Sequence, residues 1–472
     1  MGRRFPLLIS NFVGLTTNYA LMKVHLIAIG GSAMHNLAIA LHKKGIQITG
    51  SDDEITDPAK SNLQRYGILP ASDGWDINRI TPDLDAVILG MHARIDNPEL
   101  VKAQELGLRI YSYPEYLYEQ TKNKTRVVIA GSHGKTTITA MILHVLKYHN
   151  KNFDYLAGAA LEGFETSLKL SDDAPVAIFE GDEYLASALD RRPKFLLYKP
   201  DIALISGVAW DHINVFPTYR SYVEQFENFV KELPYGGSLI YCNEDEEVRK
   251  LDPLASNGVN KIPYNTLPNS VKDGVTYLTD TNTRLEVFGK HNLLNMGGAM
   301  QVCLLLGITK IQFAEAISSF KGAARRLQLV ARNEACNVYW DFAHSPSKLV
   351  ATIKAVKEQF PKRKLVACME LHTFSSLTKE FLKEYKGAMD EADVRKVYFN
   401  PHVLEHKRLP AISTEEVKNY FGGAVEVYTN STQMTDSLKT IDWKNTNLLM
   451  MSSGNFDGVN VKGLAEELLK KQ

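Results

Sequence analysis

The residues best suited to chemistry lie in a short glycine loop, AGSHGKTT, that begins at residue 130. Its spacing, Gly-x-x-Gly-Lys-Thr, is shorter than that of a standard Walker A loop, because Ile129 stands where that loop has its first glycine. A glycine loop between a strand and a helix directs backbone N–H groups and the positive helix end to one point. The sequence therefore predicts a phosphate site in which Lys135 neutralises phosphate charge and Thr136 completes a Mg²⁺ shell.

Carboxylates suited to that Mg²⁺ follow two predicted strands. The run PVAIFE ends in Glu180, with Asp182 and Glu183 shortly after it, and the run DIALISG is followed by Asp211 and His212. Because the carboxyl ends of parallel strands form the ligand crevice of an open α/β sheet, we expect these groups near the phosphate loop. Acids after strands are also common turn formers, so a purely structural role stays open at this stage.

Alternating strand and helix patterns must position these groups. With 472 residues, the chain suits about three domains, and the alternation predicts an α/β fold in which each domain has a mostly parallel sheet flanked by helices. We expect a Rossmann-like domain at 22–122, a P-loop ATPase domain at 123–327 and a second Rossmann-like domain at 328–472. Residues 1–21 resemble a signal peptide, but polar residues interrupt the apolar stretch, which favours an extension of the start.

The composition excludes several classes of protein. Lys plus Arg and Asp plus Glu both number 54, so the net charge is zero and no overall field attracts nucleic acid or an anionic membrane. The four cysteines include no Cys-x-x-Cys pair, which argues against zinc and disulfides and favours a reducing cytoplasm. No segment approaches the roughly 20 continuous apolar residues of a membrane span.

Six motifs carry a resemblance to a known family. They are GSHGKTT at 131–137, EGDEY at 180–184, WDH at 210–212, GKHNLLN at 289–295, ARRLQ at 324–328 and DFAHSP at 341–346. With these motifs in this order, the chain from residue 22 to 472 resembles the Mur ligase family, the ATP-dependent amide-forming enzymes of peptidoglycan assembly. The resemblance implies a domain for the UDP-sugar, a central ATPase domain that uses ATP and Mg²⁺, and a mobile C-terminal domain that brings the amine.

The resemblance also implies roles for individual residues. The catalytic set would be Lys135, Glu180, His212 and Arg326, and Mg²⁺ would be held by Thr136, Glu180 and His212. The implied nucleotide-binding residues are Gly131, Ser132, His133, Gly134, Lys135, Thr136, Thr137, His291, Asn292, Asn295, Arg326 and Asp341.

Substrate contacts are expected at both ends of the chain. Gly30, Gly31 and Ser32 would cradle the UDP diphosphate, and Asp52 would contact the ribose or uracil. The further expected substrate residues are His92, Asn97, His344 and His372. For His92 and Asn97 an ordinary turn role fits equally well.

The acceptor is the finer question. His133 and the stretch HLIAIGGSAM resemble the branch that acts on UDP-N-acetylmuramate, within which one member adds L-alanine and another attaches the tripeptide L-alanyl-γ-D-glutamyl-meso-diaminopimelate during recycling. The segment 180–219, with DRRPKF and DHINVF, is more similar to the recycling member. We therefore expect the lactyl carboxylate to be joined to the tripeptide amine through an acyl phosphate, with L-alanine addition as the alternative.

Three departures from the family pattern affect these expectations. Gln328 stands where the family usually has an acid, the stretch YVEQFENF has no lysine for a carbamate, and ELHTFS at 370–375 replaces Glu-Pro-Arg-Ser-Asn-Thr. The base that deprotonates the amine is left open between His212 and His344.

Two other classes of protein are disfavoured. A nucleotide-binding regulator could use the same loop as a switch, but the intact acids and the histidine–asparagine motif speak against it. An NAD-linked oxidoreductase is disfavoured because Gly30-Gly31 does not complete Gly-x-Gly-x-x-Gly. The resemblance implies UDP-N-acetylmuramate and an amino-acid or peptide acceptor as partners, and the composition predicts no nucleic acid and no membrane partner; no oligomeric state is predicted.

Overall fold

The structure is a computed structural model that describes residues 21–159, 161–210 and 215–470. The predicted start extension therefore lies outside the described residues, apart from Leu21. The chain forms two compact units. The first comprises the described residues up to Gln120 together with Leu185–Arg192, and the second comprises Thr121–Tyr184 and the described chain from Pro193 onward.

The first unit is built on a four-stranded parallel sheet with the order β2-β1-β3-β4. Its elements are β1 (Lys23–Ile27), α1 (Ser32–Lys43), β2 (Gln47–Ser51), α2 (Ala59–Arg65), β3 (Ala86–Leu89), α3 (Pro98–Glu105), β4 (Ile110–Ser112) and α4 (Tyr113–Thr121). The sequences of the central strands are mostly apolar because helices cover the sheet. β3, for example, is the fully buried sequence AVIL.

The larger sheet of the second unit has seven strands in the order β11-β10-β9-β5-β8-β6-β7. All neighbours are parallel except β6 and β7. The elements of this region are β5 (Thr125–Ala130), α5 (Lys135–Tyr148), β6 (Asp154–Leu156), β7 (Leu168–Lys169), β8 (Val176–Glu180), α6 (Lys194–Leu197), β9 (Ile202–Ile205), α7 (Tyr219–Lys231), β10 (Ser238–Cys242), α8 (Glu246–Arg249) and β11 (Asn260–Tyr264).

A small antiparallel sheet and two helices follow. They are β12 (Asn269–Lys272), β13 (Val275–Leu278), β14 (Thr283–Leu285), α9 (Lys290–Leu305) and α10 (Lys310–Ile317). The small sheet is tied to the C-terminal region by Gln359, which donates to the Gly274 carbonyl at 2.8 Å and accepts from the Thr276 hydroxyl at 3.0 Å.

The C-terminal region has a six-stranded sheet with the order β15-β16-β20-β17-β18-β19. Its elements are β15 (Gln328–Arg332), β16 (Asn337–Asp341), α11 (Pro346–Gln359), β17 (Lys364–Leu371), α12 (Lys379–Leu382), β18 (Val394–Phe399), α13 (Pro401–His406), α14 (Thr414–Tyr420), β19 (Glu426–Tyr428), α15 (Ser431–Lys439), β20 (Thr446–Met451) and α16 (Val461–Lys470). Only the β15–β16 pair of this sheet is antiparallel.

The packing confirms the predicted fold class. Each of the three larger sheets is mostly parallel and is flanked by helices, and separate apolar clusters cover the two faces of the six-stranded sheet. All four cysteines are buried as free thiols. Among the described residues, no helix has both the length and the apolar character required to cross a bilayer.

Candidate active site

The glycine loop lies between β5 and α5, as the sequence predicts. Gly131 and Gly134 have positive φ angles of 129° and 83°, and Gly134 is the N-cap residue of α5. A Cβ atom on Gly134 would lie 2.4 Å from Oδ1 of Asn295. Glycine is therefore required there both by the backbone conformation and by the neighbouring side chain.

The end of β9 fixes the loop backbone. Ser132 donates its N–H to the Gly207 carbonyl at 2.9 Å, and the Ala209 N–H donates to the Ser132 hydroxyl at 2.6 Å. The Ser206 hydroxyl donates to the Ala130 carbonyl at 3.2 Å. These hydrogen bonds fix the loop backbone against the end of β9.

The acids after β8 meet the first residues of α5. Lys135 Nζ donates to the Gly131 carbonyl at 2.5 Å and to Glu183 Oε2 at 2.7 Å. The Thr136 hydroxyl donates to Glu180 Oε1 at 2.7 Å. Since β5 and β8 are adjacent parallel strands, their carboxyl ends bring the predicted lysine, hydroxyl and carboxylates together.

Burial and neighbouring charges shift the pKa values of Glu180 and Lys135. Glu180 is 9% exposed, and burial raises the pKa of its carboxyl, an effect that hydrogen bonds from Thr136 and Gly158 oppose. Burial alone would lower the pKa of Lys135, but the nearby carboxylates, Glu183 above all, reverse the direction and raise it. The lysine is therefore cationic at neutral pH, as a phosphate site requires.

The residues fit a Mg²⁺ ion that is completed by phosphate and water. The described residues contain no cluster of three His, Cys, Asp or Glu side chains that could hold a metal. Mg²⁺ normally needs only one or two carboxylates besides phosphate oxygens and water, and the contact between Thr136 and Glu180 supplies a hydroxyl and a buried carboxylate side by side. The predicted ligand His212 lies outside the described residues, as does Asp211.

A cavity of about 380 Å³ opens beside the loop. Its walls include His133 of the loop, Lys290 and His291 of α9, and Lys354 and Ala355 of α11. Burial lowers the pKa of both histidines, so their rings are neutral at pH 7. This size and lining suit a nucleoside-sized ligand.

The other predicted nucleotide residues have separate surroundings. Asn295 faces the loop at Gly134, whereas the Asn292 amide donates to the Phe288 carbonyl at 2.9 Å and so serves the start of α9. Thr137 is buried within α5. Of the two predicted asparagines, the structure brings Asn295 to the loop.

Arg326 lies in the linker before β15. Its guanidinium stacks over the Phe342 ring at 4.4 Å. Burial lowers the pKa of Arg326, and the charges of Asp341 and Glu180 oppose that shift. The charge of Glu180, at the end of β8, therefore acts on this arginine.

Asp341 braces the same linker. Its carboxylate accepts the Leu327 N–H at 2.5 Å and the Ala343 N–H at 2.6 Å. Arg325 and Leu327 have φ angles of 56° and 48°, in the left-handed region that non-glycine residues rarely adopt. Gln328, where the family usually has an acid, accepts the Arg325 N–H at 3.0 Å. The linker conformation therefore depends on two side chains of the C-terminal region.

The expected acceptor residue His372 lies beside a buried acid. His372 Nδ1 is 3.6 Å from Glu370 Oε1, and Glu370 also accepts the Ser452 hydroxyl and the Phe456 N–H, the latter at 2.8 Å. Arg325 donates to the Ser452 carbonyl at 2.8 Å. The turn after β20 is thus anchored to both the linker and the end of β17.

His344 forms hydrogen bonds through both its ring and its backbone carbonyl. Its Nδ1 is 2.8 Å from the Phe342 carbonyl, and the Tyr385 hydroxyl donates to its backbone carbonyl. These contacts orient the ring and hold its backbone.

In the first unit, the glycines follow β1 as predicted. Gly31 caps α1, whose first residue is Ser32. The Gly30 N–H donates to Asp52 Oδ2 at 2.8 Å, and burial raises the pKa of Asp52 while this bond opposes the rise. One N–H that was expected to cradle a diphosphate is therefore used by a carboxylate in this structure.

The two residues after β3 differ in their surroundings. The Asn97 side-chain oxygen accepts the N–H groups of Glu99 and Leu100 at 3.0 and 3.1 Å, which caps α3. His92 is exposed. The geometry gives Asn97 the turn role that the sequence left open.

Sequence reasoning missed one buried polar network in this unit. His25 bridges Thr49 Oγ1 at 2.8 Å and Glu99 Oε2 at 3.1 Å, and Ser51 donates to Glu99 Oε1 at 2.6 Å. Arg79 donates to the Ser51 hydroxyl at 2.8 Å. The available signal was the histidine within the apolar strand sequence VHLIAI, because a buried polar side chain requires partners.

Comparison with known proteins supports the same assignment along the chain. Residues 23–125 match the Mur ligase family catalytic domain, residues 129–303 the Mur ligase middle domain, and residues 325–454 the Mur ligase glutamate ligase domain. A UDP-N-acetylmuramate–L-alanine ligase from Paenarthrobacter aurescens (strain TC1) is 32% identical over 396 residues, covering 80% of this chain and 84% of the relative.

Two solved structures share the fold. A UDP-N-acetylmuramate–alanine ligase from Thermotoga maritima has a TM-score of 0.68 at 23% identity, covering 96% of this chain and 100% of that chain. A murein peptide ligase from Psychrobacter arcticus 273-4 has a TM-score of 0.61 at 22% identity, covering 95% and 98%. The chain belongs to the Mur ligase family and is an ATP-dependent ligase of peptidoglycan synthesis that forms an amide bond between an acid and an amine.

Proposed function

We propose that this ligase joins the lactyl carboxylate of UDP-N-acetylmuramate to the amine of L-alanyl-γ-D-glutamyl-meso-diaminopimelate. The observation that carries the catalytic part is the grouping of Lys135, Thr136, Glu180 and Glu183 where β5 and β8 end. An amide does not form from a carboxylate and an amine in water without activation. A site that grips a triphosphate supplies the activating phosphoryl group.

The proposed phosphoryl transfer uses the positive charges of Lys135 and Arg326. Lys135 binds the β- and γ-phosphates at the loop, and Arg326, stacked on Phe342, approaches the same region from the linker. Thr136 and Glu180 would hold Mg²⁺, which would neutralise charge on the phosphates. The lactyl carboxylate then takes the γ-phosphoryl group from ATP, giving an acyl phosphate and ADP.

Amide formation needs the acceptor amine in its neutral form. The amine attacks the acyl carbon, and the tetrahedral intermediate releases phosphate. His212 and His344 remain the candidate bases. Nδ1 of the His344 ring is hydrogen-bonded to the Phe342 carbonyl. When Nδ1 carries the hydrogen of this bond, Nε2 is the ring atom that can accept the proton of the amine.

The tripeptide is favoured by the segment 180–219, which is more similar to recycling ligases, and by the acceptor side of the C-terminal region. There, His372 is 39% exposed in its side chain beside the buried Glu370, and Phe374 is 58% exposed. An exposed ring next to a histidine and a buried carboxyl group suits a peptide that has both apolar and ionic groups.

L-alanine is the second candidate acceptor. It is favoured by the relative from Paenarthrobacter aurescens, which is named for that acceptor, and by the absence of Glu-Pro-Arg-Ser-Asn-Thr at 370–375.

The test measures phosphate release with ATP, Mg²⁺ and UDP-N-acetylmuramate, with either tripeptide or L-alanine added, and identifies the product by mass. We expect kcat/KM for the tripeptide to exceed that for L-alanine by more than about tenfold, a difference of roughly 1.4 kcal/mol. Lys135→Ala is the control that removes turnover with both acceptors. Turnover with L-alanine alone would reverse the acceptor assignment.

A further inference from the structure

Glu183 belongs to the group of side chains at the glycine loop, but the mechanism above assigns it no step, although it contacts Lys135. Its side chain is 1% exposed, and its Oε2 accepts from Lys135 Nζ at 2.7 Å. A fully buried carboxylate is costly unless it is paired and hydrogen-bonded, so its position requires an explanation.

The second oxygen of the carboxylate is also held. The Tyr222 hydroxyl, on α7, donates to Glu183 Oε1 at 3.3 Å, and Tyr222 is itself fully buried. The carboxylate is thus held by two helices, α5 through Lys135 and α7 through Tyr222. A fixed carboxylate in turn restricts the ammonium that it binds.

The neighbouring acids are used differently. Glu180 accepts from Thr136 and Gly158, both at 2.7 Å. Asp182 pairs with Lys194 at 2.7 Å, with its side chain 39% exposed. Of the three acids of the EGDEY motif, Glu183 is the one that the structure pairs with Lys135.

We propose that Glu183 is a positioning residue. It holds the ammonium of Lys135 beside the Gly131 carbonyl of the glycine loop, where the phosphoryl group is transferred. This inference rests on the proposed function for the phosphate role of Lys135. A lysine side chain has several rotatable bonds, and fixing its charge before reaction avoids reorganisation during the transfer step.

The test substitutes Glu183→Gln, which keeps the shape and removes the charge. We expect kcat to fall on the order of 10- to 100-fold, the loss typical of one charge-assisted contact. We expect the Kd for ATP, measured by calorimetry without an acceptor, to stay within about threefold, because the lysine still attracts phosphate. Glu183→Asp should recover part of kcat because it restores the charge.

A matched control is available in the same unit. Lys124 and Asp154 form another buried lysine–carboxylate pair, 2.5 Å apart with side chains 8% and 0% exposed. The pair lies at the amino-terminal edge of the sheet, where β5 and β6 begin, opposite to the glycine loop. Asp154→Asn should lower the melting temperature and leave kcat per folded molecule and the ATP Kd unchanged.

A second readout needs neither acceptor nor donor sugar. The rate of reductive methylation of Lys135, followed by peptide mapping, should rise at least about threefold in Glu183→Gln, because the amine loses its bond to the Glu183 carboxylate. Tyr222→Phe, which keeps the lysine–carboxylate pair, should give a smaller increase and provides a test should Glu183→Gln not fold.

The outcomes separate the two proposals. Wild-type kcat and methylation rate in a folded Glu183→Gln variant would refute the positioning role, as would an equal loss of kcat in Asp154→Asn. A wild-type protein that turns over neither acceptor, with faster Lys135 methylation in Glu183→Gln, would refute the proposed function and support the placement of the lysine by Glu183.

Discussion

Substituting Gly134→Ala tests whether the loop conformation is required for nucleotide binding. Gly134 has φ of 83°, and an alanine Cβ there would lie 2.4 Å from Oδ1 of Asn295 and 3.2 Å from its Cγ. The left-handed backbone costs alanine about 1 kcal/mol, and moving the asparagine from its rotamer costs about 1 kcal/mol more. The variant should therefore lose about 2 kcal/mol of the free energy of unfolding.

Binding should suffer as well, because the displaced Asn295 lies beside the loop. We expect the Kd for ATP, measured by calorimetry, to rise about tenfold, which corresponds to roughly 1.4 kcal/mol. The matched control is Gly307→Ala. Gly307 has φ of 82°, and a Cβ added there would meet nothing within 4 Å, so this variant experiences the backbone strain without the contact.

Gly307→Ala should lose about 1 kcal/mol in urea denaturation and bind ATP like the wild type. The reasoning is wrong if Gly134→Ala binds ATP with wild-type affinity, or if the two alanine variants weaken ATP binding equally. Equal losses of unfolding free energy would show that the Asn295 contact adds no cost.

Three further predictions concern other parts of the molecule. Glu180→Gln should reduce Mg²⁺-dependent turnover more than about 100-fold, the scale of losing one organising catalytic contact, while calorimetry without Mg²⁺ should still detect ATP binding. Burial would raise the pKa of Glu99, but the hydrogen bonds from His25 and Ser51 lower it overall. The ionised Glu99 carboxylate therefore stabilises the fold above the unfolded pKa of about 4.3. This stabilisation is lost as the pH falls through the lower pKa of the folded state. Glu99→Gln should flatten that acid limb in thermal melts from about pH 3 to pH 6, a range set by the same reference value, and an unchanged limb would contradict the assignment. Gln359→Leu leaves the Gly274 carbonyl and the Thr276 hydroxyl without their partner and should cost about 1–3 kcal/mol, with faster proteolysis between residues 265 and 288; unchanged cleavage would argue against the tie.

The sequence predicted the phosphate loop and the acids after β8 because these depend on local patterns. An apolar strand, a glycine loop and a helix lie within one short segment, and parallel strands place their carboxyl ends together wherever they pair. β5, β8 and β9 were therefore recognisable from their apolar runs, and the contact between Thr136 and Glu180 agrees with the expected grouping.

Other features depend on contacts that no local pattern specifies. The strand β17 pairs with both β18 and β20 inside the C-terminal sheet. The sequence predicted a Rossmann-like domain over 328–472 but not the order of its strands. Asp341 was expected among the nucleotide-binding residues, and its carboxylate also accepts the backbone N–H groups of Leu327 and Ala343, which the sequence did not predict. That arrangement depends on the left-handed backbone at Arg325 and Leu327. The sequence did not predict this conformation because non-glycine residues rarely adopt it.

The role of Asn97 also could not be decided from the sequence alone. The sequence Asn-Pro-Glu before an apolar run was compatible with a helix cap as well as with a ligand contact, and the structure shows the cap. The tie between Gln359 and the small sheet joins residues 83 positions apart, so only the folded chain reveals it.

The burial of all four native thiols has a practical consequence for spectroscopy. Maleimide reagents should react slowly with the folded wild-type protein, since the thiols are shielded from solvent. Cysteines introduced at two exposed sites, Lys60 in the first unit and Lys462 in the second, would then accept a donor and an acceptor dye without background. Energy transfer between the dyes would report the separation of the two units in solution, before and after substrates are added.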